Sequence, residues 1–260
     1  MFEKLGLQLY SVRDLMKTPE EADKTFAALA ALGYSEAHTA GTNFDETLFY
    51  ELLQKHGISV CGTHVGYDEV IHEPERMMAL HTMWNTKNIG IGSMPSAAKK
   101  SPEALKAFIA EFNRAAEQYA KHGFRLTYHN HSFEFMRIDG FKTLMDYLYE
   151  GFDPATISFV LDTCWVAAAA ADPTDWIYRL DGRIDILHIK DATVERDPNA
   201  YRWVPKMCEV GYGNMCWDRI LKAAEDIGVK HYVVEQDGEW LNDPMDSCKM
   251  SAEFLKKYRK

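Results

Sequence analysis

The chain has 260 residues, 47% of them apolar, which suits one large domain or two small ones and allows roughly 70–75% of the unfolded surface to be buried. Its net charge of −10 argues against nucleic acid as a partner, since binders of polyanions carry the opposite excess. No apolar run nears the ~20 residues that cross a bilayer, and the N-terminal MFEKLGLQLYSVRD lacks the basic and apolar regions of a signal peptide.

The five cysteines, Cys61, Cys164, Cys208, Cys216 and Cys248, are odd in number and form no CxxC pair. They read as reduced thiols of a cytoplasmic protein and not as a disulfide frame or zinc knot.

Short β-branched or apolar runs alternate with longer stretches of helical period. LGLQLYS leads to TPEEADKTFAALAALG, where Thr18 is placed to cap a helix, Pro19 to open it and Gly33 to stop it. SEAHTA leads to DETLFYELLQKHG, SVCGTHV to EPERMMALHTMWNT, and KNIGIGS to SPEALKAFIAEFNRAAEQYAKHG. In that last segment Leu105, Phe108, Ile109, Phe112, Ala115, Ala116 and Tyr119 fall on one stripe.

RLTYHNH leads to FKTLMDYLYEG and ISFVLDT to DPTDWIYRLDG. IDILHIKD leads, after a long loop, to CWDRILKAAEDIG, and HYVVEQD to the C-terminal helix. Eight such units without a composition break predict one (β/α)8 TIM barrel over residues 1–260. A doubly wound sheet would carry a Gly-rich phosphate turn after its first strand, and LYSVRD is not one.

In a barrel, function gathers at the C-terminal ends of the strands. The last four strands place Glu134, Asp162, His188 and Glu235 at or just past those ends. Each has a plainer reading. A lone acid after a strand is commonly a helix cap or a solvated loop residue, and a strand histidine can be a satisfied core residue. Together they form a set of three carboxylates and one imidazole. Such a set suits Mn²⁺ first, with Mg²⁺ or Co²⁺ next and Zn²⁺ less favoured. A cation would also offset the mutual repulsion of the carboxylates. His188 shares a strand face with Ile186 and Lys190, while Asp191 and Asp237 read as caps or supporting residues.

The ordered set THVG, YHNHSFEF, LDTCW, LHIKD, GYGNMCWDRIL and VVEQD resembles the xylose isomerase-like TIM-barrel superfamily, which includes proteins called sugar phosphate isomerase/epimerase. The likeness runs from GLQLYSVRD to the C-terminal helix. It implies a divalent metal held by Glu134, Asp162, His188 and Glu235, with Glu134 and Glu235 moving protons to and from carbon on either side of a sugar. The shared step is removal of a proton beside a carbonyl, giving an enediolate that a Lewis acid stabilises. The implied activity is that of an isomerase or epimerase.

Two departures favour the alternative of a lyase or hydratase acting on a 3-keto-sugar or inosose. Trp165 stands where ketose 3-epimerases of the superfamily usually have histidine, and Lys190 stands in HIKD where arginine is usual nearby. YHNH itself looks like the branch with dehydratases and glycoside-cleaving lyases.

His129 and His131 share one side of their strand. His131 is placed to assist a leaving group and His129 to line the pocket or support Glu134. His64 is placed to bind a sugar hydroxyl, Trp165 to line the pocket, and Lys190 to contact an oxyanion or pair with Asp191. Tyr201, Trp203 and Tyr212, in the long 191–215 segment, suit stacking on a sugar or an oligomer contact. Gly211 and Gly213 read as turn residues, and no phosphate cradle is evident. A nuclease sharing the barrel would need a histidine-rich zinc site and a basic face. A non-catalytic sugar sensor would have no need of four intact ligand positions. The expected partner is a small sugar or keto-sugar, with self-association into a homo-oligomer open.

Overall fold

Local chemistry sets the first strand–helix unit. β1 is Leu5–Gln8 and α1 is Pro19–Ala31. Thr18 accepts the Glu21 N–H while the Glu21 carboxylate accepts back from the Thr18 N–H, a reciprocal cap that pins the helix start. Gly33 follows the helix at φ +93°, a conformation that costs glycine little. The structure, a computed structural model, describes residues 2–199 and 202–260.

The chain continues through β2 (Tyr34–Thr39), α2 (Glu46–Lys55), β3 (Ser59–Val65), α3 (Tyr67–His72), α4 (Pro74–Met83), β4 (Asn88–Ile91), α5 (Pro102–Ala120) and β5 (Arg125–His129). Then come α6 (Leu144–Gly151), β6 (Ile157–Asp162), α7 (Thr163–Ala168), α8 (Pro173–Arg179), β7 (Ile184–Ile189), β8 (Asp191–Arg196), β9 (Trp203–Cys208), α9 (Trp217–Asp226), β10 (His231–Val234) and α10 (Pro244–Leu255). Eight parallel strands close in the order β1-β10-β7-β6-β5-β4-β3-β2. Pairing of β1 with both β2 and β10 excludes the open doubly wound sheet.

Three details go beyond the alternating pattern. α3 and α7 are short extra helices, and Pro74, which lacks an N–H, opens α4 directly after α3. The long 191–215 segment is not a bare loop, because β8 and β9 pair as an antiparallel hairpin within it. Tyr201 lies outside the described residues. Among those described, no helix is long and apolar enough to cross a membrane.

The main apolar core fills the layer between barrel and helices, where Tyr128 packs among Phe108, Phe152 and Phe159. A separate cluster of Cys61, Val160, Ile186 and Val233 plugs the barrel lumen. Side chains alternate along a strand, so the residue two beyond each plug residue also points inward. From Val160, Ile186 and Val233 this gives Asp162, His188 and Glu235. The period of two thereby seats three polar groups directly above an apolar floor.

Candidate active site

Above the floor, one nitrogen or oxygen each from His129, Asp162, His188 and Glu235 lie within 4.8 Å of one another, and all four residues are buried. His129 ends β5, Asp162 ends β6, His188 is the fifth residue of β7, and Glu235 follows β10. Glu235 Oε2 is 2.9 Å from His188 Nδ1 and 3.8 Å from His129 Nε2, which in turn is 3.5 Å from Asp162 Oδ2.

Glu134, the remaining residue of the expected ligand set, has other partners. Glu134 is fully buried but is not in this cluster. Its Oε1 accepts the Tyr128 hydroxyl at 2.6 Å and its Oε2 accepts the His131 N–H at 2.7 Å. The strand ends at His129, and a short 3₁₀ turn over Phe133–Phe135 folds Glu134 back onto Tyr128, whose ring faces the helix layer. His129, in phase with the inward side of β5, takes the place assigned to Glu134. Burial raises the Glu134 carboxyl to about 7 despite its two hydrogen bonds.

The four residues present fit a divalent cation. His129 Nδ1 lies 3.2 Å from the Gly92 carbonyl, which only accepts, so the ring's proton belongs there. Nε2 faces Asp162 Oδ2 at 3.5 Å; burial alone would lower the His129 pKa, yet Asp162 and Glu235 raise it above its ordinary value. Neither atom has a hydrogen-bond partner. Positive charge holds this pair together, from the Lys190 ammonium 3.4 Å from Asp162 Oδ2 and from a proton on Nε2 that a divalent cation can replace. Asp162 is also a helix cap, because its other oxygen accepts the Trp165 N–H at 3.0 Å. The cap and ligand readings of this residue hold together.

Lys190 is buried beside the cluster. Its Nζ is 2.6 Å from Asp237 Oδ2, 3.3 Å from Glu235 Oε2 and 3.4 Å from Asp162 Oδ2. Burial alone would lower its pKa, but Asp162, Glu235 and Asp237 outweigh that and keep the ammonium charged. Burial alone would likewise raise Glu235, yet Lys190 and His188 hold it well below the usual carboxylate range. Lys190 does not pair with Asp191. The Asp191 carboxylate instead accepts the Gly211 and Gly213 N–H groups and the Trp217 indole N–H, tying the turn after β9 to the barrel rim.

A cavity of about 400 Å³ opens above the cluster, lined by His64, His129, His131, Trp165, Glu235 and Asp237 with Tyr10, Ala40 and Gly92. His64 Nε2, His131 Nδ1 and Trp165 Nε1 are buried without partners. Burial, then His129, pushes His131 down to about 3, so this imidazole is neutral at ordinary pH. A second cavity, of about 350 Å³, meets the first at Trp165 and Asp237 and runs beneath the hairpin along Cys164, Ala168, Pro205 and Met207. Trp203 and Tyr212 are exposed at 70% and 59% and line neither cavity, contrary to the stacking role expected for them.

The family model described as xylose isomerase-like TIM barrel matches residues 26–258. The chain belongs to this family. Solved structures of similar fold include a sugar phosphate isomerase/epimerase from Parabacteroides distasonis, with 24% identity, 98% of this chain and 94% of that chain covered, and a TM-score of 0.79. A probable 3-DHS dehydratase involved in petrobactin synthesis, from Bacillus anthracis, shows 16% identity, 97% and 98% coverage, and a TM-score of 0.74. An L-ribulose 3-epimerase shows 16% identity, 98% and 93% coverage, and a TM-score of 0.70. At these identities the likeness is one of fold. No curated protein matches the chain.

Within this family barrel the structure brings to the cluster Asp237, which the sequence reading took for a cap or supporting residue, and two residues it passed over, His38 and Gln8. Asp237 lines the cavity, two positions beyond Glu235 and just past the end of β10. His38, at the end of β2, lies 2.8 Å from His188, and Gln8, at the end of β1, lies 3.1 Å from His38. The period-two argument used for β7 would have reached Asp237. His38 and Gln8 carried no signal beyond their place at strand ends.

Proposed function

We propose that the protein is an isomerase or epimerase of sugars or keto-sugars that moves a proton at a carbon beside a carbonyl, with one divalent cation held by His129, Asp162, His188 and Glu235. The convergence of one nitrogen or oxygen each from His129, Asp162, His188 and Glu235 within 4.8 Å, buried below a cavity, carries this reading. When bound, the cation supplies Lewis-acid polarisation of a substrate oxygen. Mn²⁺ was expected on the strength of three carboxylates. A set of two imidazoles and two carboxylates accommodates Zn²⁺ or Co²⁺ as well as Mn²⁺.

The chain's own groups do the rest. His64, His131 and the Trp165 indole N–H meet hydroxyls of the ligand. Lys190 holds a positive charge at the cavity floor, where negative charge develops on the substrate. Asp237 takes and returns the proton. Burial, reinforced by the neighbouring Glu235 charge, raises its pKa toward the range where a carboxyl serves as acid and base.

A second reading, elimination from a 3-keto-sugar or inosose, is favoured by two observations. With Glu134 withdrawn, the carboxylates at the cavity, Glu235 and Asp237, come from one strand end, whereas epimerisation by a carboxylate pair needs them on opposite faces. The adjoining second cavity offers room for a group attached to the sugar.

The test is incubation of the metal-loaded protein in D₂O with ketoses, inososes and 3-keto-glycosides. Deuterium entering carbon without loss of a group supports isomerisation, and an enone or released aglycone supports elimination. Each is expected to vanish with chelator and with Asp237→Asn. Neither exchange nor elimination with any of these substrates at full metal occupancy would remove the proposal.

A further inference from the structure

We infer that Gln8 acts through His38 to set the tautomer of a cluster histidine, fixing the proton of His188 on Nε2 so that Nδ1 is the atom offered to the cation. Gln8 and His38 are thus positioning residues. The inference rests on the proposed cation site and concerns groups outside it. His188 has two ring nitrogens with different neighbours: Nδ1 is 2.9 Å from the acceptor Glu235 Oε2, a contact made by a proton in the metal-free protein and by a shared cation in the loaded one, and Nε2 is 2.8 Å from His38 Nδ1. A 2.8 Å contact between two ring nitrogens holds one proton. If His38 held it, His188 Nε2 would be the acceptor and a neutral His188 would aim an N–H at the cluster, blocking coordination.

Gln8 decides between the two arrangements. The Tyr10 backbone N–H, 3.3 Å away, can only donate, so it fixes the Gln8 amide with Oε1 toward Tyr10. The amide NH₂ is therefore the end that faces the histidines, with Nε2 3.1 Å from His38 Nδ1 and 3.4 Å from His64 Nδ1. A donor there requires a lone pair on His38 Nδ1, which then also accepts the His188 Nε2–H. Gln8 and His38 are fully buried, so water does not substitute for either contact.

The His38 ring lies close against the backbone of Gly62. A Cβ at Gly62 would come within 3.1 Å of His38 Cδ2 and 2.7 Å of Ile186 Cδ1, so glycine there leaves the ring its room and a larger residue would crowd it. The order runs from a backbone N–H to an amide, an imidazole and then the ligand imidazole. Partners of ligating histidines commonly fix the tautomer in this way, and losing one costs about 10–100-fold in metal affinity.

Long-range ¹H–¹⁵N NMR of ¹⁵N-histidine-labelled protein reads the proton directly. His188 Nε2 is expected to be protonated with and without Zn²⁺. Gln8→Met removes both amide N–H groups at similar size and leaves that site partly deprotonated. Competition with a chromophoric chelator should show Zn²⁺ binding weakened about tenfold in Gln8→Met and about 10–100-fold in His38→Leu. An unprotonated Nε2 in the wild-type protein overturns the inference. So does Gln8→Met with the wild-type ¹⁵N pattern and wild-type Zn²⁺ affinity. If the wild-type protein binds no divalent ion, the cation site is wrong, and the wild-type ¹⁵N spectrum, which needs no metal and no variant, still decides the Gln8 assignment.

Discussion

Replacing Glu134 with glutamine separates its structural place from the catalytic one expected of it. Burial moves this carboxyl from 4.5 to about 7, so the folded protein holds its proton to higher pH than the unfolded chain does. The sign follows from linkage: the stability this adds is fully present below about 4.5 and is lost as pH rises through about 7. Each pH unit in that window is worth about 1.4 kcal/mol. Between pH 5 and pH 8 the wild-type protein should therefore lose about 3 kcal/mol relative to Glu134→Gln, which does not titrate. Denaturant unfolding of both metal-free proteins at pH 5, 6, 7 and 8 measures this, with other titrating groups cancelling in the difference. Zn²⁺ affinity should stay within about twofold of wild type, because the Glu134 oxygens are engaged by Tyr128 and His131. A difference that does not change with pH, or a large loss of metal affinity, would refute the placement of Glu134 outside the cluster.

Other substitutions probe the neighbouring parts. His129→Ala should weaken divalent-metal binding by more than the about 10–100-fold that loss of a supporting partner costs, as read by chelator competition and metal content. Lys190→Met strands three carboxylates, two of them buried, and should destabilise the metal-free protein by about 3–5 kcal/mol, with much of the loss in melting temperature recovered on adding metal. Gly213→Ala would drive a Cβ into Asp191 Oδ1 and to 2.6 Å from the Ala192 carbonyl oxygen, so it should loosen the turn after β9 and speed proteolysis there at least severalfold. Trp165→Ala removes a wall shared by both cavities and should raise KM more than it lowers kcat.

The barrel was legible because its instructions are local. The Thr18 cap, the stop at Gly33 and the apolar stripe of α5 each act within a few residues, and repeating such units closes a parallel sheet. Asp162, His188 and Glu235 were legible for a related reason. Each follows an apolar lumen residue at a spacing of two, and strand alternation carries that phase into space. The positions of Glu134 and His129 were not, because they depend on where β5 stops. The strand stops at His129, and the turn beyond it carries Glu134 onto the Tyr128 hydroxyl, a contact that only the folded chain makes. Lys190 finding Asp237, and Gln8 reaching His38 and through it His188, join residues 30 to 150 positions apart. No spacing rule reaches that far. Such contacts exist only once the sheet has closed, when residues distant along the chain are brought to one lumen and a charge left unpaired there carries a heavy penalty.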